Sequence, residues 1–251
     1  MAIAPAAQGS TGSPELEVRA RIDLAALYRL ADHYGWRDLI YNHIAARVPG
    51  ERCLLIKPHA LLFSEVRASD LIKVNLDGSD RDAAINAAGF TIHSAVLNAR
   101  KDINYTIHVH TRPGMAVSAI KAGLVVVSQE AMQFHARVSY HDFEGVATDL
   151  EETARLAADL GPANKAMILR NHGLLTCGAT PAEALSKMHY LVEACEIQLA
   201  LQATGQDIVL PPPEVCEHAA QQMEYFQKLG DADEWRAYLR IADSLDPSFR
   251  Q

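Results

Sequence analysis

Two histidines, His108 and His110, lie two residues apart in the segment Asp102–His110, whose β-prone residues predict a strand. Side chains at positions i and i+2 of a strand point to the same face, so both imidazoles can approach one point. Imidazole nitrogens bind metal ions at about 2.1 Å, and this spacing suits one ion. A third histidine, His172, follows the predicted strand Lys165–Arg170 at its end and would leave one side open for substrate. We therefore predict a metal site built for chemistry.

Helix and strand patterns predict the elements that position these histidines. The clearest helix start is at Thr180, where an N-cap threonine, a proline and a glutamate follow in capping-box order, and this helix should extend to about Ala203. The polar segment Ser128–Asp142 is predicted to be irregular. The other predicted helices are Glu15–Tyr34, Asn86–Arg100, Met115–Ala122, Thr148–Leu160 and one or two within Glu214–Ala242, and the other predicted strands are Leu39–Val48, Cys53–Ile56, Leu71–Leu76, Val125–Val127 and Leu174–Gly178. Short strands mixed irregularly with helices favour one α/β/α domain over a regular βαβ array.

The composition bounds the class of protein. With 251 residues, of which 49% are hydrophobic, the chain can bury a full core, and we predict a single domain over residues 15–251. Residues 1–14 are rich in Ala, Gly, Ser and Pro and are predicted to be a disordered tail. The net charge of −8 argues against nucleic acid or an anionic membrane as partner. A small-molecule substrate is the expected partner.

Other sequence features exclude further classes. No apolar run approaches the length of about 18 residues that a membrane span needs. The four cysteines are scattered without a C-x-x-C pair, which suits reduced thiols and predicts a cytoplasmic protein. The sequence has no G-x-G-x-x-G, P-loop or G-x-S-x-G motif, so nothing supports a nucleotide cofactor or serine hydrolysis.

The histidine segments also carry a family resemblance. Ile107–His110 and Leu169–Gly173 resemble the metal-binding signature of the class II aldolase/adducin family, and the similarity extends over roughly Ala25–Ala203, closest to the adducin-like branch. Further matching segments are Leu39–Arg47, Leu71–Asn75, Asn86–His93 and Leu191–Gln198. The resemblance implies a three-layer α/β/α fold with a central, mostly antiparallel mixed sheet. It also implies a homotetramer with active sites at subunit interfaces.

By the same resemblance, the three histidines would bind a divalent ion. Zinc is the first expectation, with iron, manganese or cobalt as alternatives. Asn42 matches a substrate-binding position of the family, and Gln129 and Glu130 match positions close to the rim of its active site. We therefore expect Asn42 and Gln129 to bind substrate.

The chain departs from the sugar-phosphate aldolases of this family at two places. Those enzymes carry a glutamate as general acid/base four residues before the histidine that is His93 here, but this chain has Gly89. Their phosphate-binding positions read Lys57–Ala60 and Ala87–Ala88 here, and alanine side chains offer no donors to a phosphate. We therefore expect a substrate that is not a sugar phosphate.

Glu130 is a candidate for the missing acid/base group, because a carboxylate beside a metal-bound substrate could carry a proton. The alternative for Glu130 is an ordinary solvated loop carboxylate. His93 is predicted to be a hydrogen-bonded core histidine rather than a fourth ligand.

Three functional hypotheses follow. The first is a metal-dependent lyase, in which an ion polarises the carbonyl of a keto acid, hydroxy acid or hydroxy-carbonyl compound and an enolate forms through decarboxylation or retro-aldol cleavage. The second is an Fe(II)-dependent oxygenase on the same scaffold, because three histidines with open positions also fit O₂ chemistry. The third is a non-catalytic interaction module like the head of adducin.

Overall fold

Seven strands form one sheet at the centre of the computed structural model, which describes residues 13–251. The strands are β1 (His43–Arg47), β2 (Cys53–Ile56), β3 (Ile72–Asn75), β4 (Tyr105–Val109), β5 (Val138–His141), β6 (Ala166–Leu169) and β7 (Gly173–Gly178). Their order across the sheet is β3-β2-β1-β4-β7-β6-β5, and every pairing is antiparallel except the parallel pair of β5 and β6. The predicted mixed, mostly antiparallel sheet is confirmed.

Helices cover both faces of this sheet. They are α1 (Pro14–His33), α2 (Ala87–Ala99), α3 (Arg112–Ser118), α4 (Gln129–Met132), α5 (Glu152–Leu160), α6 (Pro181–Ala203) and α7 (Pro213–Leu245). One hydrophobic core packs α1, α3 and α6 against one face, and a second core packs α2 and α5 against the other. In β1, Ile44 belongs to the first core and Ala45 to the second, as the alternation of a strand requires. The predicted three-layer α/β/α fold is confirmed.

Helices α1 and α6 begin close to the residues that the sequence predicts. Helix α1 begins at Pro14, and residues 1–12 of the predicted tail lie outside the described part of the chain. Helix α6 starts after Thr180, whose hydroxyl accepts a hydrogen bond from the Glu183 amide, as predicted. Between residues 13 and 251, no helix is both long and apolar enough to cross a membrane.

Two local predictions were wrong. Val125–Val127 is not a strand, because side chains rather than a neighbouring strand accept from the amides where it begins. Val125 N donates to Gln198 Oε1 at 2.8 Å, and N of the preceding Leu124 donates to the Tyr140 hydroxyl at 3.0 Å. The segment Ser128–Asp142 is not irregular, since it contains α4 and the edge strand β5. The partner that orders β5 is β6, which follows it by 24 residues along the chain and cannot be read from local pattern.

Candidate metal centre

The sheet brings the three predicted ligands to one end of its central strands. His108 lies within β4 opposite Leu175 of β7, and His110 follows the end of β4. His172 lies in the short turn that joins β6 to β7. Since β4 and β7 are antiparallel neighbours, the end of one and the start of the other meet, and the turn carries His172 against the pair.

The turn has a backbone that only certain residues tolerate. Asn171 adopts a left-handed conformation with φ of 55°, which asparagine accepts more readily than most residues. A Cβ atom at Gly173 would lie 2.6 Å from the Val109 carbonyl oxygen and 3.1 Å from His110 Cδ2. Close packing against β4 therefore requires glycine at residue 173, directly after the predicted ligand His172.

The ring nitrogens of the three histidines converge. His110 Nε2 lies 2.9 Å from His108 Nε2 and 3.0 Å from His172 Nε2. Nitrogens that share one ion at bonds of about 2.1 Å also stand about 3 Å apart. Among residues 13–251 these three histidines form the group of side chains that could hold a metal ion. The residues present therefore fit a divalent ion.

The other nitrogens of two rings are held by acceptors. His108 Nδ1 donates to the Leu174 carbonyl oxygen at 3.0 Å, and His110 Nδ1 donates to Asp38 Oδ2 at 2.9 Å. Because these partners only accept, each Nδ1 carries the hydrogen and each Nε2 keeps its lone pair for a metal. Asp38 precedes β1, so the connection between α1 and β1 takes part in orienting His110.

Asn42 lies beside the ligands and is fully engaged by backbone. Its Oδ1 accepts from the His110 amide at 3.3 Å, and its Nδ2 donates to the Trp36 carbonyl oxygen at 2.6 Å. The side chain is 1% exposed. In this chain Asn42 thus positions His110, and a direct contact with substrate stays a prediction.

His43 is a site residue that sequence reasoning did not single out. It lies opposite His108 in the β1–β4 pairing, and the two rings stack with centroids 4.9 Å apart. His43 Nδ1 is 2.9 Å from His93 Nε2, and His93 Nδ1 is 2.6 Å from the Thr106 hydroxyl. His93 is fully buried, as expected of a core histidine that is not a ligand.

The His43 ring packs directly against Gly89. A Cβ at Gly89 would lie 2.8 Å from His43 Cδ2 and 2.9 Å from His43 Cγ. The imidazole thus fills the volume that any side chain at residue 89 would enter. The sequence held one signal of this arrangement, because a glycine early in a buried helix often marks close approach of a neighbour.

Burial lowers the pKa of four histidines at and behind the site. It lowers the pKa of His43 and of His108 well below the usual value, with neighbouring imidazoles as the second cause. Burial also lowers the pKa of His172 to about 4 and that of His93 to about 3. Neutral rings are the form that binds a metal ion.

The buried His93 leads to a prediction about acid stability. An unfolded histidine titrates near pH 6.5 and folded His93 near 3, so between these values the unfolded state binds more protons and stability falls as pH falls. The contribution is complete above about pH 6.5, and below it the loss is about 1.4 kcal/mol per pH unit for this group. Urea unfolding of chelator-treated protein between about pH 7 and pH 4 should show a shallower pH slope for His93→Gln than for wild type. His218→Gln, an exposed position on α7, is the control, and equal slopes for wild type and His93→Gln would contradict the assignment.

A cavity of about 520 Å³ opens beside His110. It is lined by residues of the α1–β1 connection, including Trp36, Arg37 and Asp38, and by Arg112 at the start of α3. The exposed guanidinium groups of Arg37 and Arg112 line this opening together with the carboxylates of Asp38 and Glu196, and Arg37 also pairs with Asp32 at 3.5 Å.

The structure does not bring Gln129 and Glu130 to the histidines of the same chain. Both lie at the start of α4 and line a separate cavity of about 320 Å³ against α6 and α7, with Tyr190 and Phe226. This cavity shares no lining residue with the opening beside His110 and contains none of the three ligands.

Comparisons with known proteins agree with this geometry. The family described as Class II Aldolase and Adducin N-terminal domain matches residues 22–199. The chain is similar to a solved aldolase II superfamily protein from Pseudomonas syringae, with 44% identity over 96% of this chain and 98% of the other, at a TM-score of 0.88. It is also similar to an L-fuculose 1-phosphate aldolase from Glaciozyma antarctica, with 25% identity, 99% and 97% coverage and a TM-score of 0.80.

A cytoskeletal relative also matches. Rat alpha-adducin is 50% identical over 191 residues, which are 74% of this chain and 26% of that protein. The chain therefore spans about a quarter of the adducin it matches.

Proposed function

Because the chain belongs to the class II aldolase and adducin family, we propose that it is a metal-dependent lyase. Its substrate would be a small, non-phosphorylated keto or hydroxy acid, or a hydroxy-carbonyl compound, cleaved by decarboxylation or retro-aldol reaction. The observation that carries this proposal is the convergence of three imidazole rings, with His110 Nε2 about 3 Å from the Nε2 atoms of His108 and His172, beside a cavity that His110 lines.

The ligands would be His108, His110 and His172, and the ion zinc, with iron, manganese or cobalt as alternatives. When bound, the ion supplies Lewis acidity to a substrate carbonyl oxygen. The chain's own part is to hold the rings: the Leu174 carbonyl and Asp38 fix the two Nδ1–H groups, and such partners raise metal affinity by about 10- to 100-fold.

One guanidinium beside the site favours an acidic substrate. Arg112 borders the opening next to His110 and has no ion pair with residues 13–251, and guanidinium groups pair well with carboxylates. Ala87 and Ala88 lack the donors that would bind a phosphate at the family's usual place. A carboxylate-bearing substrate without phosphate suits both features.

The His43 ring beside Gly89 restricts which acid/base group the reaction can use. A carboxylate cannot stand there while His43 occupies the volume, so no group at residue 89 can remove a proton from substrate. Loss of CO₂ needs no base in the bond-breaking step, which favours decarboxylation over a retro-aldol reaction. Glu130 remains a proposed proton carrier, and it would reach the metal centre only from a second copy of the chain.

We propose that this second copy is part of a cytoplasmic homotetramer with interfacial active sites. Leu39 and Tyr41, which lie between Asp38 and Asn42 in the chain, are 70% and 51% exposed and would be covered by a neighbour. Light scattering should give about four times the chain mass of 27.4 kDa, and Leu39→Glu with Tyr41→Glu should give smaller species. Val209→Glu, at a residue 89% exposed on the α6–α7 connection, is the control and should leave the mass unchanged. A monomeric wild-type protein would overturn the interfacial site.

The lyase itself is tested with a panel of keto and hydroxy acids. Purified protein is assayed as isolated, after chelation, and after zinc, iron, manganese or cobalt is restored. We expect release of CO₂ or an aldehyde from one member of the panel, loss of turnover on chelation and recovery with one metal. Undiminished turnover by metal-free protein would exclude the mechanism.

The similarity to alpha-adducin favours a second candidate, an interaction module without catalysis. The two candidates differ in what the metal ligands are for. A module would keep its oligomeric state and its cellular role without the ion, whereas a lyase would lose its cellular role.

A further inference from the structure

A second charged cavity lies away from the metal centre. Its volume is about 290 Å³, and it is enclosed by α6, α7, the residues after α4 and the start of β6. Its charged lining consists of Arg137, Lys165, Lys187, Glu183, Glu224 and Lys228. Lys165 directly precedes β6, whereas His172 follows the other end of that strand, so the two sites occupy opposite ends of the sheet.

Two of the four cations in this lining are paired. Lys165 forms an ion pair with Glu183. Arg137 binds Glu224 at 2.7 Å and, outside the cavity, Glu217 at 2.6 Å. Lys187 and Lys228 have no ion pair with any residue between 13 and 251, so the lining retains two uncompensated positive charges.

Lys187 is the unusual member of this group. It lies on the buried face of α6 between Ser186 and Met188, and its side chain is 9% exposed. Lysine is rarely buried to this extent without a partner, because an unpaired ammonium loses its hydration. Its ammonium has no hydrogen bond to the described residues and is not sealed off from solvent, so its remaining exposure is toward the cavity that it lines. Burial lowers the pKa of Lys187, and an anion beside it would oppose that change.

We propose that this cavity binds a small oxyanion, a phosphate or a dicarboxylate, with the Lys187 ammonium as its central contact and Lys228 at its exposed edge. A ligand of this kind restores the interactions that the buried ammonium lost on folding. It would also touch α6 and α7 together, and so would fix the closing helix against the domain. The site is independent of the proposed lyase activity, since it shares no residue with the metal centre.

The test compares inorganic phosphate and succinate as probes on the full chain as purified, by calorimetric titration and by thermal unfolding. One probe is expected to bind with saturation and to raise the unfolding temperature. Lys187→Met should bind it at least about tenfold more weakly, because one charge-assisted hydrogen bond is lost. Lys101→Met, at an exposed turn before β4, is the matched control and should bind as wild type does. Both variants keep the metal centre, so any probe that binds a metal there adds the same signal to both titrations and does not affect the comparison between them.

The outcomes separate clearly. Tighter binding of phosphate would identify the ligand as a phosphate, and tighter binding of succinate would identify it as a dicarboxylate. Equal affinity of wild type and Lys187→Met, or no binding of either probe at millimolar concentration, overturns the proposal. If Lys187→Met fails to fold, Lys228→Met, at an exposed residue, takes its place and should also weaken binding.

Discussion

An H110A variant is expected to purify without metal and without lyase activity. His110 Nε2 lies between the ring nitrogens of His108 and His172, so its removal leaves two ligands that no longer surround one point. Loss of a partner outside the ligand set costs about 10- to 100-fold in metal affinity, and loss of a ligand should exceed the upper value. Metal content by mass spectrometry after purification gives the measurement.

The control for this variant is His218→Ala, at an exposed histidine on α7, which should retain full metal and activity. The oligomeric mass of His110→Ala helps to distinguish the lyase from the interaction module. If metal is lost while mass and cellular role are unchanged, the adducin-like module is favoured over the lyase. Normal metal content in His110→Ala would mean that the ion binds elsewhere.

The second large effect is expected from G89E, alone and with H43A. Glutamate at residue 89 would push its Cβ into the His43 ring, where the contact would be 2.8 Å, in a region that is fully packed. Overpacking of this kind costs about 1–3 kcal/mol of unfolding free energy, and the buried carboxylate adds to the loss. With His43→Ala the volume is freed, so the double variant should be more stable than Gly89→Glu.

Urea unfolding of wild type, both single variants and the double variant forms a complete cycle. We expect a coupling of about 1–3 kcal/mol, because the two side chains compete for one volume. Gly230→Glu, at a helical position on α7 with no atom within 4 Å of the added Cβ, should leave stability nearly unchanged. Additive effects of the two substitutions would show that His43 does not fill the space at residue 89.

The fold and the meeting of the three histidines could be predicted from sequence because their signals are local, whereas their role as metal ligands stays a prediction. His108 and His110 share a face through the strand period, and His172 lies in a recognisable Asn-His-Gly turn. The family resemblance predicts a central, mostly antiparallel sheet, and the observed strand order and pairing confirm it.

The surroundings of the ligands could not be predicted, because they depend on long-range register. Nothing near residue 43 in the sequence shows that β1 will place its ring against Gly89, which lies 46 residues further on. Likewise Gln129 and Glu130 match positions near the rim of the family's site, yet in one chain they face α6 and α7. Their place in an assembly depends on surfaces that a single sequence does not encode in any local pattern.

Five histidines form a continuous row from the half-buried rim of the site into the core. In order, its members are His172, His110, His108, His43 and His93. At His108 and His110 the Nδ1 hydrogens are fixed, since a carbonyl and a carboxylate can only accept. At the inner end stands the Thr106 hydroxyl, which can either give or take a hydrogen bond. If that hydroxyl rotates, and one proton is taken up at His93 Nδ1 while another is released at His43 Nε2, both rings change tautomer; the bonds through His93 then reverse and His43 Nε2 changes from donor to acceptor. The same heavy-atom framework thus offers two hydrogen-bonding polarities beside the metal centre without a change in net charge.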